Sequence, residues 1–238
     1  FLEKEEQINP NNPNIVNVLK NAVPLFDGGF TIGGLVGNGY SFIMRDAHGI
    51  RPAYYYIDGE VIVAASERAA IRTTFNVGEN EVHELMPGNA LIIDDKGGYT
   101  IEQIVAPKER RACSFERIYF SRGGDEKIYR ERIALGHYLS KIVLDRIEKD
   151  LKNTIFSYIP NTAETSFYGL IEGLEKAADK IKLQTLQEGA GKMTEEEIAA
   201  VLKIHPRVEK LAVKDAKMRT FIADDASRGE MVNMVYDV

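Results

Sequence analysis

The stretch GGFTIGGLVGNGYSFIMRDAHGIRP, Gly28 to Pro52, decides how the first half of the chain folds. Two apolar runs, Phe30–Val36 and Tyr40–Arg45, flank Gly37-Asn38-Gly39. Glycine and asparagine tolerate the backbone angles of a tight turn, so this pattern predicts two paired strands. The same texture continues outward. Ala53–Ile57, Val61–Ala65, Asn89–Ile93 and Tyr99–Gln103 are further short apolar runs. Asp58-Gly59, Pro87-Gly88 and Lys96-Gly97-Gly98 punctuate them as turns. A short helix from Glu67 to about Thr73 interrupts the strands. This half is expected to be a mostly antiparallel sheet.

The chain before and after reads differently. Phe1 to Pro13 is polar, with Asn and Pro punctuation, and reads as a linker or helix end. Asn14 is placed to cap a helix through Val23, with Ile15, Val18, Leu19 and Ala22 on one face. Downstream, Phe115–Phe120 is a strand candidate. Ile128 to Leu151 has helical apolar spacing, Thr154–Ile159 reads as a buried strand, and a second helix runs from about Ala163 to Leu186. Thr194-Glu195-Glu196-Glu197 is a capping box that starts a third helix. Strand, helix, strand, helix in that order points to a parallel α/β layer. The charged stretch Pro107 to Ala112 marks a boundary. The chain opens on Phe1 and closes on the strand-like run Met234–Val238, so both ends are expected to lie inside a longer protein.

Composition bounds the function classes. Hydrophobic residues make up 44% of 238, enough for a core and too many for a disordered chain. The net charge of −6 argues against nonspecific nucleic-acid binding, which needs a basic face. It leaves room for a small anion held by a few local cations. A single cysteine, Cys113, cannot close an internal disulfide, so a reducing, cytoplasmic setting is expected. No apolar run approaches a membrane span, so no membrane partner is expected.

Few residues carry chemistry on their own. Arg45-Asp46-Ala47-His48-Gly49-Ile50-Arg51-Pro52 is the densest polar cluster. It reads either as an anion clamp or acid–base site, or as a strand-end turn in which Asp46 accepts backbone N–H groups and Gly49 supplies an unusual φ. The turn is the simpler reading. Ser66-Glu67 reads as a helix N-cap with a first-turn acid. Tyr54-Tyr55-Tyr56 reads as packing on two faces of a sheet. His48, His83, His137 and His205 are scattered without metal-ligand spacing. The string Lys210, Lys214, Lys217, Arg219, with Thr220, is either a solvated face or a phosphate grip.

Several segments resemble the amidophosphoribosyltransferase family. They are the Gly28–Pro52 stretch with its RDxxGIRP string, Val63-Ala64-Ala65-Ser66-Glu67-Arg68, Glu84 to Ala90, Cys113 to Arg122, Ile159 to Ser166, and Val213-Lys214 with Arg219-Thr220-Phe221-Ile222. They run in family order from Gly28 to Ile222. The resemblance implies an α+β chain. Residues 1–107 would be the C-terminal part of an N-terminal-nucleophile glutaminase sandwich, with mostly antiparallel sheets and helices. Residues 108–238 would begin an α/β phosphoribosyltransferase domain. It further implies that the parent moves ammonia from glutamine to phosphoribosylpyrophosphate with Mg²⁺, giving 5-phosphoribosylamine, the first step of purine synthesis. A homo-oligomer and purine nucleotide inhibitors fit the same resemblance.

The departures from the family pattern shape the expectation. Phe1 is not the family's nucleophilic cysteine, and Cys113 aligns elsewhere, so this stretch is expected to carry no catalytic residue and to be inactive alone. Lys214, Lys217 and Arg219 match the basic lid over pyrophosphate. Asp224-Asp225-Ala226-Ser227-Arg228-Gly229 looks superficially like the family's ribose-phosphate loop, but it follows RTFI directly, so order places it in the lid and not in that loop. Cys113 falls where some members place one of four iron–sulfur ligands, so a cluster would belong to the parent only. The alternative is a homologue that kept the fold for nucleotide sensing or scaffolding and lost the chemistry, a reading prompted by the insertion-like stretch Glu188 to Pro206. The glucosamine-6-phosphate synthases share the glutaminase type, but the IP…ETS and RTFI segments argue against them.

Overall fold

In the computed structural model of the chain, the described residues are 1–10, 12–214 and 224–237. They form two compact units, Phe1–Asp125 and Glu126–Val238.

The first unit begins with α1 (Leu2–Ile8), where a linker or helix end was expected, and α2 (Ile15–Ala22). The Asn14 side chain accepts the Asn17 N–H and caps α2 as its sequence position predicts. Strands β1 (Thr31–Leu35), β2 (Ser41–Arg45), β3 (Tyr54–Ile57) and β4 (Ile62–Ala65) follow, then α3 (Arg68–Phe75), β5 (His83–Glu84), β6 (Asn89–Ile93) and β7 (Tyr99–Gln103). All pairings are antiparallel, in a four-stranded sheet β1-β2-β6-β7 and a three-stranded sheet β4-β3-β5.

Strand alternation sorts the side chains into layers. Met44, Ala90 and Ile92 face one way and pack with Ile15, Leu19 and Val23. Ile43, Leu91 and Ile93, one residue out of phase, face the other way and join Ala53, Tyr55, Ile57, Ile62 and Leu85 of the second sheet. The far side of that sheet offers Tyr54, Tyr56 and Val63 to Ile71 of α3. The layers are therefore helix, sheet, sheet, helix. The three consecutive tyrosines divide between the two faces of β3, as alternation requires. At the end of α3, Asn76 takes a left-handed conformation (φ 53°), which stops the helix.

Three sequence expectations in this unit change. Ser66 does not cap α3. The N-cap position is Glu67, and its side chain makes no capping bond. Its carboxylate instead accepts the Arg122 N–H at 3.3 Å and lies 3.5 Å from the Arg122 guanidinium. Phe115–Phe120 is not a strand. Glu116–Phe120 is a π-helical turn closed by the Ser121 N–H on the Glu116 carbonyl. Buried Glu116 is held 2.7 Å from Arg51, an ion pair that the strand pattern could not foresee. Finally, residues 108–113 strap onto the 46–50 loop through Lys108 N–H to Ala47 O, Arg111 N–H to His48 O and Cys113 N–H to Ile50 O. The first unit accordingly extends past residue 107, to Asp125.

The second unit contains α4 (Glu126–Arg146), β8 (Ile155–Phe156), α5 (Glu164–Glu188), α6 (Glu195–Leu202), β9 (Arg207–Val208), β10 (Val213–Lys214), α7 (Asp225–Val235) and β11 (Tyr236–Asp237). Helix α4 stops short of the expected Leu151, because Glu148 and Lys149 turn left-handed at φ 53° and 64°. Strand β8 covers only two residues of the expected Thr154–Ile159, and pairs in parallel with the equally short β9. The strand-like end Met234–Val238 contributes only Tyr236–Asp237 to pairing, with β10; Val238 lies outside the described residues. The capping box at Thr194 forms as predicted, with Thr194 Oγ1 accepting from Glu197 N and Glu197 Oε2 accepting from Thr194 N.

Helices α4 and α5 approach to backbone contact. A β-carbon on Gly136 would overlap the Ser166 carbonyl oxygen, and one on Gly169 would overlap that of Ile133. Gly173 lies against Ser140, so the contacts advance together and the helices run in the same sense. Leu151, Phe156, Phe167, Leu174 and Ala178 form the core beneath them.

Candidate functional site

Within the second unit, the chain leaving β8 turns through residues 157–163 and feeds α5 at Glu164. Parallel α/β layers place ligands at such carboxyl ends of strands. The turn is fixed by Glu164, whose Oε1 accepts the Tyr158 hydroxyl at 2.9 Å and the Tyr168 hydroxyl at 2.8 Å. Burial, then the bond to Glu164, pushes the Tyr158 pKa up. For Tyr168 the bond to Glu164 is the larger cause. Both phenols therefore stay protonated and keep donating.

The β10–β11 ribbon reaches the same turn. Lys214 pairs in register with Tyr236, and its Nζ lies 5.7 Å from the centre of the Tyr236 ring. The Tyr236 hydroxyl makes a long contact, 3.5 Å, to the Pro160 carbonyl. The structure thus brings Lys214, a compact positive charge, to the ribbon that contacts the strand-end turn. Lys217, Arg219 and Thr220 lie outside the described residues. Asp224 accepts from Ala226 N and Ser227 N and caps α7; these bonds, the Ser227 N–H first, hold its carboxyl below the ordinary range. That role was not legible as a cap in the Asp224–Gly229 string.

The Arg45–Pro52 cluster in the first unit has its polar groups committed. Arg45 is 2% exposed and donates to the carbonyls of Arg51, Leu85 and Gly49 and to Glu84 Oε1. Asp46 accepts from the amides of His48, Ile50 and Arg51. Gly49 has φ +61°, and a β-carbon there would crowd Pro87. His48 Nδ1 faces the Glu109 carbonyl at 2.8 Å, so that nitrogen carries the proton. The cluster is the turn that the simpler reading described.

Cys113 is half-buried, and its thiol makes no hydrogen bond among the described residues. No group of three or more His, Cys, Asp or Glu among them is arranged to hold a metal. One thiol supplies one of the four ligands a cluster needs, so these residues do not by themselves fit an iron–sulfur centre. Among the described residues, no helix is long and apolar enough to cross a membrane.

No family model matches the chain. Curated sequences do. The chain is 29% identical over 132 residues to the amidophosphoribosyltransferase of Methanothermobacter thermautotrophicus, covering 53% of this chain and 27% of that protein. It is 28% identical over 134 residues to that of Bacillus subtilis (55% and 26%), and 32% identical over 105 residues to that of Synechocystis (41% and 20%). The chain spans about a quarter of the length of these relatives. Its fold matches the B. subtilis glutamine phosphoribosylpyrophosphate amidotransferase complexed with ADP and GMP, with TM-score 0.62 and 21% identity, covering 94% of this chain and 42% of that one. A structure described as the allosteric regulatory enzyme of purine biosynthesis matches with TM-score 0.63 and 21% identity over 99% of this chain and 43% of that one. The chain is thus similar to amidophosphoribosyltransferases over about half of its length, and its fold is similar to theirs over nearly all of it.

Proposed function

We propose that the chain is the middle portion of a glutamine-dependent amidophosphoribosyltransferase. In this reading the first unit is the later part of an N-terminal-nucleophile glutaminase sandwich. The second is the start of a phosphoribosyltransferase domain. The parent, a cytoplasmic homo-oligomer, hydrolyses glutamine in one domain. It passes ammonia to the other, where it displaces pyrophosphate from phosphoribosylpyrophosphate and yields 5-phosphoribosylamine.

The observation that carries this reading is that the fold likeness extends over both units, not one. Its support at the site is Lys214 on the ribbon that reaches the turn after β8. A cation there would meet the pyrophosphate, with Lys217 and Arg219 as partners in the same lid. Mg²⁺ would arrive with the substrate, bound mainly through phosphate oxygens. An iron–sulfur cluster would need ligands from outside this chain, with Cys113 as one of them. Purine nucleotides are the inhibitors to expect, since the B. subtilis protein was solved with ADP and GMP.

The 238 residues alone are expected to release no glutamate from glutamine, because their one cysteine, Cys113, does not align with the family's nucleophile. The test of the transferase half uses the parent protein with ammonium and phosphoribosylpyrophosphate. Pyrophosphate release supports the reading. Its absence favours the sensing or scaffolding homologue.

A further inference from the structure

The second unit carries another pocket, at the end of the β8–β9 pair opposite the turn described above. Its cavity is about 300 Å³, near the lower limit for small-molecule sites. Leu151, Ala200 and Ile204 give it apolar walls, and Lys152, Lys203, His205 and Arg207 surround them with cationic or protonatable groups. Topology explains the gathering. Ile155 pairs with Arg207 in parallel register, so the turn leading into β8 and the turn leading into β9 lie at one end. Lys152 comes from the first turn. Lys203 and His205 come from the second, where α6 stops.

The polar atoms are partly pre-set. The Arg207 Nε donates to Glu209 Oε1 at 2.9 Å, leaving its two terminal amino groups for an anion. His205 Nδ1 lies 2.7 Å from the Lys203 carbonyl, which can only accept, so Nδ1 holds the proton and Nε2 is left for a ligand. The nearby acid Asp150 is engaged by the Asn153 backbone and side-chain amides. In a chain of net charge −6, three permanent cations gather around one small apolar cavity.

We propose that this pocket binds a small phosphate monoester with a compact organic body. The phosphate sits among Lys152, Lys203 and Arg207, and the body lies on Leu151 and Ile204. Its position at the amino ends of the strands separates it from the strand-end turn, so its occupant is a regulator and not the reacting substrate. The cavity is too small for a nucleoside triphosphate.

Ribose 5-phosphate is the probe, titrated into the 238-residue chain by calorimetry, with ribose as the uncharged control. Saturable binding with Kd on the order of 1 mM or tighter is expected. Lys203→Gln with Arg207→Gln should weaken it at least tenfold, and Lys152→Gln alone severalfold, while Lys214→Gln leaves it unchanged. Lys152, Lys203 and Arg207 are exposed and Lys214 is half-buried, and circular dichroism checks that each variant folds. The proposal fails if nothing saturates, if ribose binds equally well, or if Lys152→Gln and the double variant bind as the parent sequence does. Loss of binding in Lys214→Gln alone also overturns it, because that result assigns the phosphate to the lid.

Discussion

Arg45 and Glu84 meet at 2.8 Å and tie the two sheets of the first unit together, for Arg45 ends β2 in one and Glu84 lies on β5 in the other. The guanidinium is buried and also holds three backbone carbonyls. Replacing Arg45 with Met would strand those carbonyls and leave Glu84 with Arg110 as its remaining partner. A loss of about 3–5 kcal/mol is expected, the usual cost of breaking a buried pair from one side. Glu84→Gln keeps an acceptor for Arg45 and Arg110 and should cost about 1 kcal/mol. Urea unfolding of the two variants checks the order; equal midpoints would contradict it.

Gly136 offers a test in the second unit. Gly136→Ala must push α4 and α5 apart, because the neighbours are backbone atoms that cannot rotate away. Overpacking of this kind typically costs about 1–3 kcal/mol. Gly229, on α7, has open space around it, and Gly229→Ala should gain up to about 1 kcal/mol from helix propensity. Thermal melts of the pair should shift in opposite directions.

Acid should loosen the β3–β4 hairpin through Asp58. Its carboxyl is held below the ordinary range by the Glu60 N–H first, then by the Val61 N–H and the Tyr56 hydroxyl. A depressed folded-state pKa stabilises above the unfolded value of about 3.9, and the gain is lost as pH falls through the lower folded value. Asp58→Asn should therefore be less stable than the parent sequence at neutral pH, with the gap closing below about pH 4. A gap that widens on acidification would refute the assignment.

Lys214→Met in the parent enzyme should raise KM for phosphoribosylpyrophosphate about tenfold or more, the worth of a charge-assisted bond to phosphate. Glutamine hydrolysis measured without that substrate should be unchanged. Equal loss in both half-reactions would point to a folding defect instead.

Much of the fold was legible because it is written in local chemistry. Asn14 and Thr194 cap helices as their side chains dictate, and the alternation of Ile43 with Met44 or Leu91 with Ile92 sorts two cores. The Asp46 turn followed from an acid placed ahead of a glycine. The misses have a different origin. Phe115–Phe120 has strand composition, but the Arg51–Glu116 ion pair and the Glu116–Ser121 bond fix a π-helical turn, and both partners of such contacts are invisible to periodicity. The shortness of β8 is set by β9, some fifty residues away. Ser66 lost its cap role because Glu67 found Arg122. At the site, Lys214 was legible only through resemblance. Its neighbour Tyr236 was not, since nothing in the sequence pairs residues 213–214 with 236–237. The pocket around Lys203 and Arg207 was equally hidden, because two turns far apart in the chain supply its charges.

The most direct test is a coupled assay on the parent protein with glutamine, phosphoribosylpyrophosphate and Mg²⁺, counting glutamate and pyrophosphate together. The account predicts both products in equal amounts, with pyrophosphate release abolished when glutamine and ammonia are withheld. Glutamate formed without pyrophosphate, in the presence of intact phosphoribosylpyrophosphate, would contradict it.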